Sequence, residues 1–226
     1  MPKKYKLFLF VVVISIAFAA GVFLSYQFQL LMRTEEVEPE PQIEREMEPG
    51  RITTEKIEYD SENGMEFLKI DTDDRQRTLS EDQPSEPLIS PQEDKLAYIA
   101  PAEWERIGSI YLYDYENDEI KELVRGEDLP EQYTPKKIWW LDEKHLLFIG
   151  GFGYGTVSVG GTLYALNIET GDITEVYSEG ERSEVKEISV GDREVEIKLA
   201  VFDEDFVDYE VETDQISLEN IYERLD

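Results

Sequence analysis

Two stretches of this chain repeat one pattern at an interval of about fifty residues. Leu96–Ile99 is matched by Leu146–Ile149, and Ile110–Ile120 is matched by Leu163–Ile173. Each copy contains a strand, a variable loop, a second strand, a polar turn and a third strand. Repeats of roughly 40–50 residues with several strands each are typical of propeller blades. The repeat therefore predicts a stack of similar antiparallel β-meanders.

Alternation of apolar and polar residues indicates strands with one buried face. Val195–Leu199 alternates strictly, and so does Val207–Val211. Leu146–Ile149 is apolar on both faces, which suits a strand that is covered on both sides. Turn signals that combine Gly, Asn and Asp separate the runs. They are found at Glu62–Gly64, Glu116–Asp118, Thr170–Asp172 and Gly191–Asp192.

The repeat extends beyond its two full copies. A partial earlier copy fits Phe67–Asp74, followed by Thr78 and Leu79, and a degenerate later copy begins near Ile188. Residues 55–226 thus supply about three to four repeats, whereas closed propellers have about four to eight blades. We expect either an open, curled stack whose ends are capped by a C-terminal helix, or a stack that closes through a partner chain.

The N-terminal part of the chain has the composition of a membrane anchor. Three lysines precede an apolar run, Leu7–Leu24, that only Ser15 and Gly21 interrupt. This length suits a helix that crosses a bilayer, so residues 7–32 are predicted to be transmembrane. The lysines place residues 1–6 in the cytoplasm and residues 33–226 outside it. A cleaved signal peptide ending near Ala17–Ala19 is the alternative.

An acidic stretch follows the predicted anchor. Residues 33–54 contain seven glutamates before position 50 and three prolines, with no aromatic residue. Such a segment does not bury enough apolar surface to fold alone, and like charges keep it extended. We interpret it as a tether that holds an extracytoplasmic β-repeat domain, residues 55–226, away from the membrane.

A short helix is predicted only at the end of this domain. Leu218, Ile221, Tyr222 and Leu225 fall on one helical face, and Ser217 is placed to cap its N-terminus. The predicted fold class is all-β. The predicted antiparallel β-meander repeats resemble an incomplete or small β-propeller. One N-terminal transmembrane helix precedes these repeats, and this short helix ends the domain.

The charge balance excludes several functions. The chain has 52 acidic and 22 basic residues and a formal net charge of −30, so a nucleic-acid-binding surface is not expected. It has no cysteine and one histidine, which removes thiol chemistry, Cys-ligated zinc and most catalytic dyads. The acidity suits solubility in a saline, alkaline or cation-rich envelope; recruitment of a basic partner or of Ca²⁺ is the alternative.

Two motifs resemble those of known propeller blades. Ser90–Tyr98 is similar to the S-P-D-G-K opening of TolB-like blades, except that Glu93 and Asp94 replace the glycine after Asp. Ile110–Asp114 resembles the strand that follows in those blades. The order of these motifs over residues 55–215, together with Trp104-Glu105 and the loop Gly151–Gly161, also resembles that of an uncharacterised family of membrane-anchored Bacillus and Clostridium proteins. The resemblance implies a short TolB-like, propeller-type domain and no particular chemistry.

The segment Gly150–Gly161 is the main candidate binding site. It is rich in glycine, which permits positive φ and close backbone approach, and it carries two aromatic residues. It lacks the G-x-G-x-x-G spacing, and no helix follows to receive a phosphate. A long flexible or bulged hairpin is the alternative interpretation. The candidate ligand-binding residues are Gly151, Phe152, Gly153, Tyr154, Gly155, Gly160, Gly161 and Trp104.

Other polar and aromatic groups give weaker signals. Trp139 and Trp140 are adjacent in a strand, so we expect at least one of them in the core and not on an aromatic surface with Trp104 and Tyr133. His145 is interpreted as a surface turn residue. Asp71–Asp74 and Asp203–Asp205 lack the spacing of a Ca²⁺ loop, so no metal site and no cofactor are predicted.

These features favour a non-enzymatic binding or sensory module of the bacterial cell envelope, anchored in the cell membrane by a single pass. The predicted partners are the membrane, through residues 7–32, and an unknown envelope protein or glycan; oligomers would form through open sheet edges. The alternatives are an envelope hydrolase that uses acidic residues and a structural assembly protein. No serine lies in a G-x-S-x-G motif, so catalysis is not expected.

Overall fold

Four antiparallel sheets follow one another along the chain. The computed structural model describes residues 51–60, 67–72, 75–155, 158–178 and 180–225, all within the unit Glu48–Asp226. The predicted anchor, residues 7–32, and most of the predicted tether lie outside these ranges. Within them, no helix has the length and apolarity needed to cross a membrane.

Within each sheet the strands follow chain order, and each strand pairs with the strands next to it in sequence. The first sheet contains β1 (Ile57–Asp60), β2 (Phe67–Asp71) and β3 (Gln76–Ser80). The second contains β4 (Leu88–Ile89), β5 (Lys95–Ala100), β6 (Ser109–Asp114) and β7 (Glu119–Val124). The third contains β8 (Tyr133–Trp140), β9 (His145–Phe152), β10 (Thr162–Asn167) and β11 (Ile173–Tyr177). The fourth contains β12 (Ser183–Val190), β13 (Glu194–Phe202) and β14 (Tyr209–Ser217), and helix α1 (Leu218–Leu225) follows.

The sheets reproduce the predicted repeat. Strands β5 and β9 hold the same position in the second and third sheets, and the hairpins β6–β7 and β10–β11 follow them. The partial early copy forms β2 and β3, and the degenerate later copy begins in β12. The prediction of an all-β domain built from antiparallel meanders is confirmed.

Three buried clusters hold consecutive sheets together. The first core lies between the first and second sheets, and includes Leu68 and Tyr98. The middle core lies between the second and third sheets, and includes Ile99 and Phe148. The last core lies between the third and fourth sheets, and includes Ile197. Burial of apolar surface on both sides of the two inner sheets is therefore the main stabilising contribution.

Alternate residues of the inner strands serve different cores. In β9, Leu146 and Phe148 belong to the middle core, whereas Leu147 and Ile149 belong to the last core. All four are buried, which confirms the prediction of a strand covered on both faces. In the same way, Trp140 packs against the middle core and Trp139 against the last one.

The outer faces of the end sheets are polar. Glu194, Glu196 and Lys198 alternate as exposed residues along β13. Among the described residues, no buried cluster joins the first sheet to the fourth. Within the described part of this one chain, the sheets therefore form an open stack.

One predicted strand pattern is wrong. Val207 and Val211 are exposed, and β14 begins only at Tyr209. Tyr209 and Val211 pair with Phe202 and Ala200, on the side of β13 that carries Glu194, Glu196 and Lys198. Because the described residues place no further sheet over that face, the alternation of Val207–Val211 does not produce a buried side.

Helix α1 packs beside the last core and not over an end face. The side chain of Ile221 is fully buried in that core, and Leu218 and Leu225 pack against it. Ser217 Oγ accepts a hydrogen bond of 3.2 Å from the backbone N–H of Asn220, as expected of an N-cap. The predicted helix and its cap are confirmed, but the helix does not cap the stack.

The folded unit also includes residues before position 55. Ile52 is buried in the first core, and its backbone N–H donates to the carbonyl of Glu93 at 2.6 Å. The chain therefore joins the domain three residues earlier than the predicted boundary.

The turn before β5 explains the serine of the blade-opening motif. Ser90 is buried, and its hydroxyl donates to the carboxylate of Asp94 at 2.8 Å. The same oxygen accepts from the backbone N–H groups of Asp94 and Lys95, at 3.2 and 3.0 Å. Glu93 has φ +61°, which is the backbone conformation that glycine favours.

We expect Glu93→Gly to raise the free energy of unfolding by about 0.5–1 kcal/mol. Glycine relieves the left-handed strain, and the backbone hydrogen bonds of residue 93 remain. Urea denaturation would measure the change. Gln92→Gly is the matched control, because Gln92 is not among the residues with positive φ. Equal effects of the two substitutions would contradict the argument.

Candidate binding site

Three β-hairpin connections lie at the same end of the stack. They join β5 to β6 (101–108), β9 to β10 (153–161) and β13 to β14 (203–208). These strands are equivalent in successive repeats, so their connections emerge on the same side. Among the described residues, five of the eight large exposed apolar side chains lie in or next to them. The five are Trp104, Phe152, Tyr154, Phe206 and Val207.

A pocket of about 320 Å³ lies between the first two of these connections. It brings Trp104 and the glycine-rich segment together, although they are far apart in sequence. The start of β8 forms another part of its wall. The lining residues include Trp104, Arg106, Lys136, Phe152, Gly153 and Ser158.

Aromatic side chains form the rim of the pocket. Trp104 is 63% exposed, and its Nε1 donates to the carbonyl of Gly155 at 3.4 Å. Phe152 is 48% exposed, and its ring packs against that of Tyr133 with the centroids 5.0 Å apart. A rim of this kind can contact the apolar face of a ligand.

Lys136 supplies a partly buried cation. Its Nζ donates to Ser158 Oγ at 2.9 Å and to the Ser158 carbonyl at 3.3 Å. Burial lowers the pKa of Lys136, and the nearby charge of Glu184 opposes that shift. The cation is therefore held in place by the same segment that carries the glycines.

Glu184 organises the end of the glycine-rich segment. Its Oε2 accepts from Ser158 Oγ at 3.2 Å, from the backbone N–H of Val159 at 2.9 Å and from that of Gly160 at 2.7 Å. Because Glu184 lies on β12, the fourth sheet fixes a loop of the third sheet. This arrangement preorganises one wall of the pocket.

Arg106 is paired with side chains before β4. Its guanidinium donates to both oxygens of Asp82, at 2.6 and 3.0 Å, and to Oε1 of Gln83 at 3.2 Å. Thr134 also lines the pocket, and its hydroxyl accepts from the backbone N–H of Gly108 at 2.9 Å. The connection 101–108 is thus held to the segment between β3 and β4 and to the third sheet.

Some of the predicted glycines serve chain packing. A Cβ on Gly160 would lie 2.1 Å from the carbonyl oxygen of Val185, and one on Gly161 would lie 2.1 Å from that of Gly150. Gly161 and Val185 exchange backbone hydrogen bonds of 3.0 and 2.7 Å, which connect the third and fourth sheets. These glycines are required where two backbones approach closely.

The structure separates the predicted binding residues into two groups. Trp104, Phe152, Gly153 and Gly155 line the pocket, whereas Gly151, Gly160, Gly161 and Tyr154 do not. Gly151 and Phe152 belong to β9, so the connection itself begins at Gly153. Tyr154 is nevertheless 48% exposed beside the pocket.

The polar residues of the pocket carry no signal in the sequence. Arg106, Thr134, Lys136 and Ser158 carry no motif, and only the fold brings them together. Phe206 and Val207 were also missed as parts of this end of the stack. These two adjacent apolar residues lie in a hairpin turn among acidic residues, so the sequence shows no apolar pattern around them.

His145 is not the surface turn residue that we predicted. It begins β9, and its side chain is only 15% exposed. Its Nδ1 lies 3.0 Å from both carboxylate oxygens of Asp142, and Asn167 Nδ2 lies 3.3 Å from its Nε2. Tyr222 of α1 donates to Asp142 at 2.8 Å, so the group fixes the C-terminal helix.

The same contacts determine the ionisation of this group. Burial opposes ionisation of Asp142, but hydrogen bonds from the Lys144 backbone, His145 and Tyr222 lower its pKa. Burial and the bond to Asp142 raise the pKa of Tyr222 to about 12. Both groups therefore keep their usual charge at neutral pH. In the described ranges, no group of three acidic or histidine side chains is arranged to hold a metal ion.

The fold defines a β-propeller-like domain with a small open pocket at one end. The sequence profile of the family described as Domain of unknown function (DUF4652) matches residues 34–218. The chain belongs to this family. Comparison with curated proteins gives no match.

Two solved structures, each with a TM-score of at least 0.50, share this architecture. A candidate conserved lipoprotein from Clostridium novyi NT is 28% identical, with a TM-score of 0.56, over 68% of this chain and 96% of that one. A prolyl endopeptidase is 10% identical, with a TM-score of 0.50, over 73% of this chain. The chain spans about a quarter of that enzyme, 24% of its length. A candidate TolB protein from Agrobacterium tumefaciens is 12% identical, with a TM-score of 0.43, over 70% of this chain and 59% of that one.

Proposed function

We propose that this protein is a membrane-anchored, extracytoplasmic binding module of the bacterial cell envelope and has no catalytic activity of its own. The observation that carries the proposal is the collection of exposed aromatic side chains around one pocket. Trp104 and Phe152 come from different sheets, yet both lie at its rim. Exposed aromatic residues beside convergent polar groups are a common feature of binding sites.

The rigidity of the pocket walls supports this proposal. Glu184 fixes the segment that carries Ser158, and Arg106 is held by Asp82. A preorganised site loses less conformational entropy when a ligand binds. The pocket is therefore suited to binding without a large rearrangement.

The envelope location rests on different observations. The apolar run that follows the N-terminal lysines has the composition of a membrane anchor. The Clostridium novyi NT structure is named as a candidate lipoprotein, and lipoproteins belong to cell envelopes. The net charge of −30 suits a domain that lies outside the cytoplasm in an ion-rich layer.

Replacement of both Phe152 and Tyr154 with serine tests the binding site. We expect the free energy of unfolding to change by about 1 kcal/mol or less, because both side chains are half exposed. We expect the same variant to lose the envelope component that the wild-type protein captures after crosslinking on intact protoplasts. Mass spectrometry and glycan analysis of the captured material would measure this loss.

Val211→Ser is the matched control, since Val211 is also exposed but lies on the outer face of the last sheet. It should capture as much material as the wild-type protein. Unchanged capture by the double variant would place the binding site elsewhere. A large loss of stability would show that the two rings belong to the core.

A further inference from the structure

We infer that the pocket beside Trp104 binds an uncharged glycan. The inference rests on the proposed function and gives its ligand a chemical class. It depends on three properties of the described residues: the size of the pocket, its exposed aromatic ring and the balance of its charges.

The size of the pocket favours one small unit of a larger molecule. Its volume of about 320 Å³ is at the lower end of the range for ligand sites, about 300–1,000 Å³. A protein partner would instead need a broad surface, with about 800 Å² buried on each side. An open pocket of this volume is suited to a sugar unit whose chain continues into solvent.

The aromatic rim suits the chemistry of a sugar. A pyranose ring has an apolar face of C–H groups and an equatorial edge of hydroxyl groups, and an indole ring can pack against that face. Trp104 is 63% exposed and is held by its bond to Gly155, so its ring can serve as a preformed platform. Phe152 adds a second exposed ring at the same rim.

The polar groups of the pocket are those that hydroxyl groups need. Lys136 Nζ has three protons, and the Ser158 oxygens receive two of them, so the third is left for a ligand. Ser158 Oγ donates to Glu184 and accepts from Lys136, and its second lone pair can accept from a ligand hydroxyl. The Thr134 hydroxyl also lines the pocket. Hydroxyl groups of a sugar can exchange hydrogen bonds with all of these without adding charge.

The charge balance argues against an anionic ligand. Arg106 is neutralised by Asp82, and Glu184 lies near Lys136. The two cations of the pocket thus have carboxylate counterparts within the protein. An acidic polymer would also be repelled by a chain with a net charge of −30. A neutral glycan is not repelled by the net charge and needs no unpaired cation in the pocket.

The experiment measures binding of the full-length protein to neutral oligosaccharides. The protein is kept in a detergent without a sugar headgroup, because such headgroups would compete for the pocket. The probes are oligomers of N-acetylglucosamine, glucose and galactose, with oligogalacturonate as the acidic comparison. We expect at least one neutral oligomer to bind and oligogalacturonate to bind at least about tenfold more weakly, as measured by titration calorimetry.

Variants assign the binding to Trp104. We expect Trp104→Ala to weaken neutral-oligomer binding at least about tenfold, and Trp104→Phe to recover part of the loss because it keeps an aromatic ring. Val211→Ala should leave binding unchanged. Trp104→Ala should unfold at the same urea concentration as the wild-type protein, because Trp104 is exposed.

Three results would overturn the inference. One is the absence of binding to every neutral oligomer, and another is binding that Trp104→Ala leaves unchanged. Preference for oligogalacturonate would be the third such result. If the protoplast experiment still captures an envelope protein through Phe152 and Tyr154, the proposed function stands while the glycan assignment falls. If neither experiment detects binding, both are wrong.

Discussion

Phe148→Ala is expected to lower the free energy of unfolding by about 3–5 kcal/mol. Phe148 is fully buried in the middle core, and its ring stacks on that of Tyr164 with the centroids 5.1 Å apart. Its removal leaves a cavity that the surrounding strands fill only partly. Urea denaturation followed by circular dichroism would measure the loss.

Phe152→Ala is the matched control, because Phe152 lies on the same strand but is half exposed. It should change stability by about 1 kcal/mol or less. If the two variants were equally stable, Phe148 would not lie in a core. This outcome would contradict the stacking of the second and third sheets.

Because the stack of sheets is open, Phe148→Ala should also change the hydrogen exchange of the protein. Each sheet packs on its neighbours in sequence, and the middle core joins the first two sheets to the last two. Stability in such stacks is approximately a sum over neighbouring interfaces. We therefore expect Phe148→Ala to let one half exchange its amide hydrogens before the other, which hydrogen-exchange mass spectrometry would detect.

The periodicity of the sequence was sufficient to predict most of the fold. Leu146–Ile149 is apolar on both faces because β9 lies between two cores. Val195, Ile197 and Leu199 alternate with exposed residues because only one face of the first part of β13 is covered. Strand period and repeat length are local properties, so the sequence displays both directly.

Local periodicity does not predict burial where a distant element decides it. The alternation of Val207–Val211 predicts a buried face, but no described sheet covers that side of β14. His145 lies in a polar stretch that resembles a surface turn, yet Asn167 and Tyr222 bury it. Neither outcome follows from local pattern: the partner Asn167 lies 22 residues from His145, and exposure of Val207 and Val211 depends on whether another element covers them.

The candidate site was predictable only in part for the same reason. Glycine content and exposed aromatic residues identified the connection and Trp104. The polar wall combines Lys136, Ser158 and Glu184, which lie 22 and 26 residues apart in sequence. Their side chains meet because the third and fourth sheets stack, and no motif in the sequence encodes that juxtaposition.

Gly160→Ala is expected to destabilise the protein at the wall of the pocket, as Phe148→Ala does in the middle core. A Cβ at position 160 would lie 2.1 Å from the carbonyl oxygen of Val185 and 2.7 Å from its carbonyl carbon. Both atoms belong to the backbone of β12, so no side chain can move aside. We expect the free energy of unfolding to fall by at least about 2 kcal/mol.

An alanine at position 160 should push β12 away from the loop, and this displacement should also weaken binding. Gly160 donates its N–H to Glu184, and the same carboxylate holds Ser158 in the pocket wall. We therefore expect Gly160→Ala to weaken capture of the envelope component even at temperatures where the protein remains folded. Crosslinking on protoplasts, together with urea denaturation, would measure both effects.

Gly155→Ala separates backbone strain from steric overlap. Gly155 has φ +88°, but no atom lies within 4 Å of the position that its Cβ would take. Alanine there should cost only about 1 kcal/mol, from its left-handed conformation. Equal losses in the two variants would contradict the steric argument, because Gly155 has a positive φ and Gly160 does not. A larger loss in Gly160→Ala would show that the close approach of the third and fourth sheets requires glycine at position 160, and that the pocket wall depends on that approach.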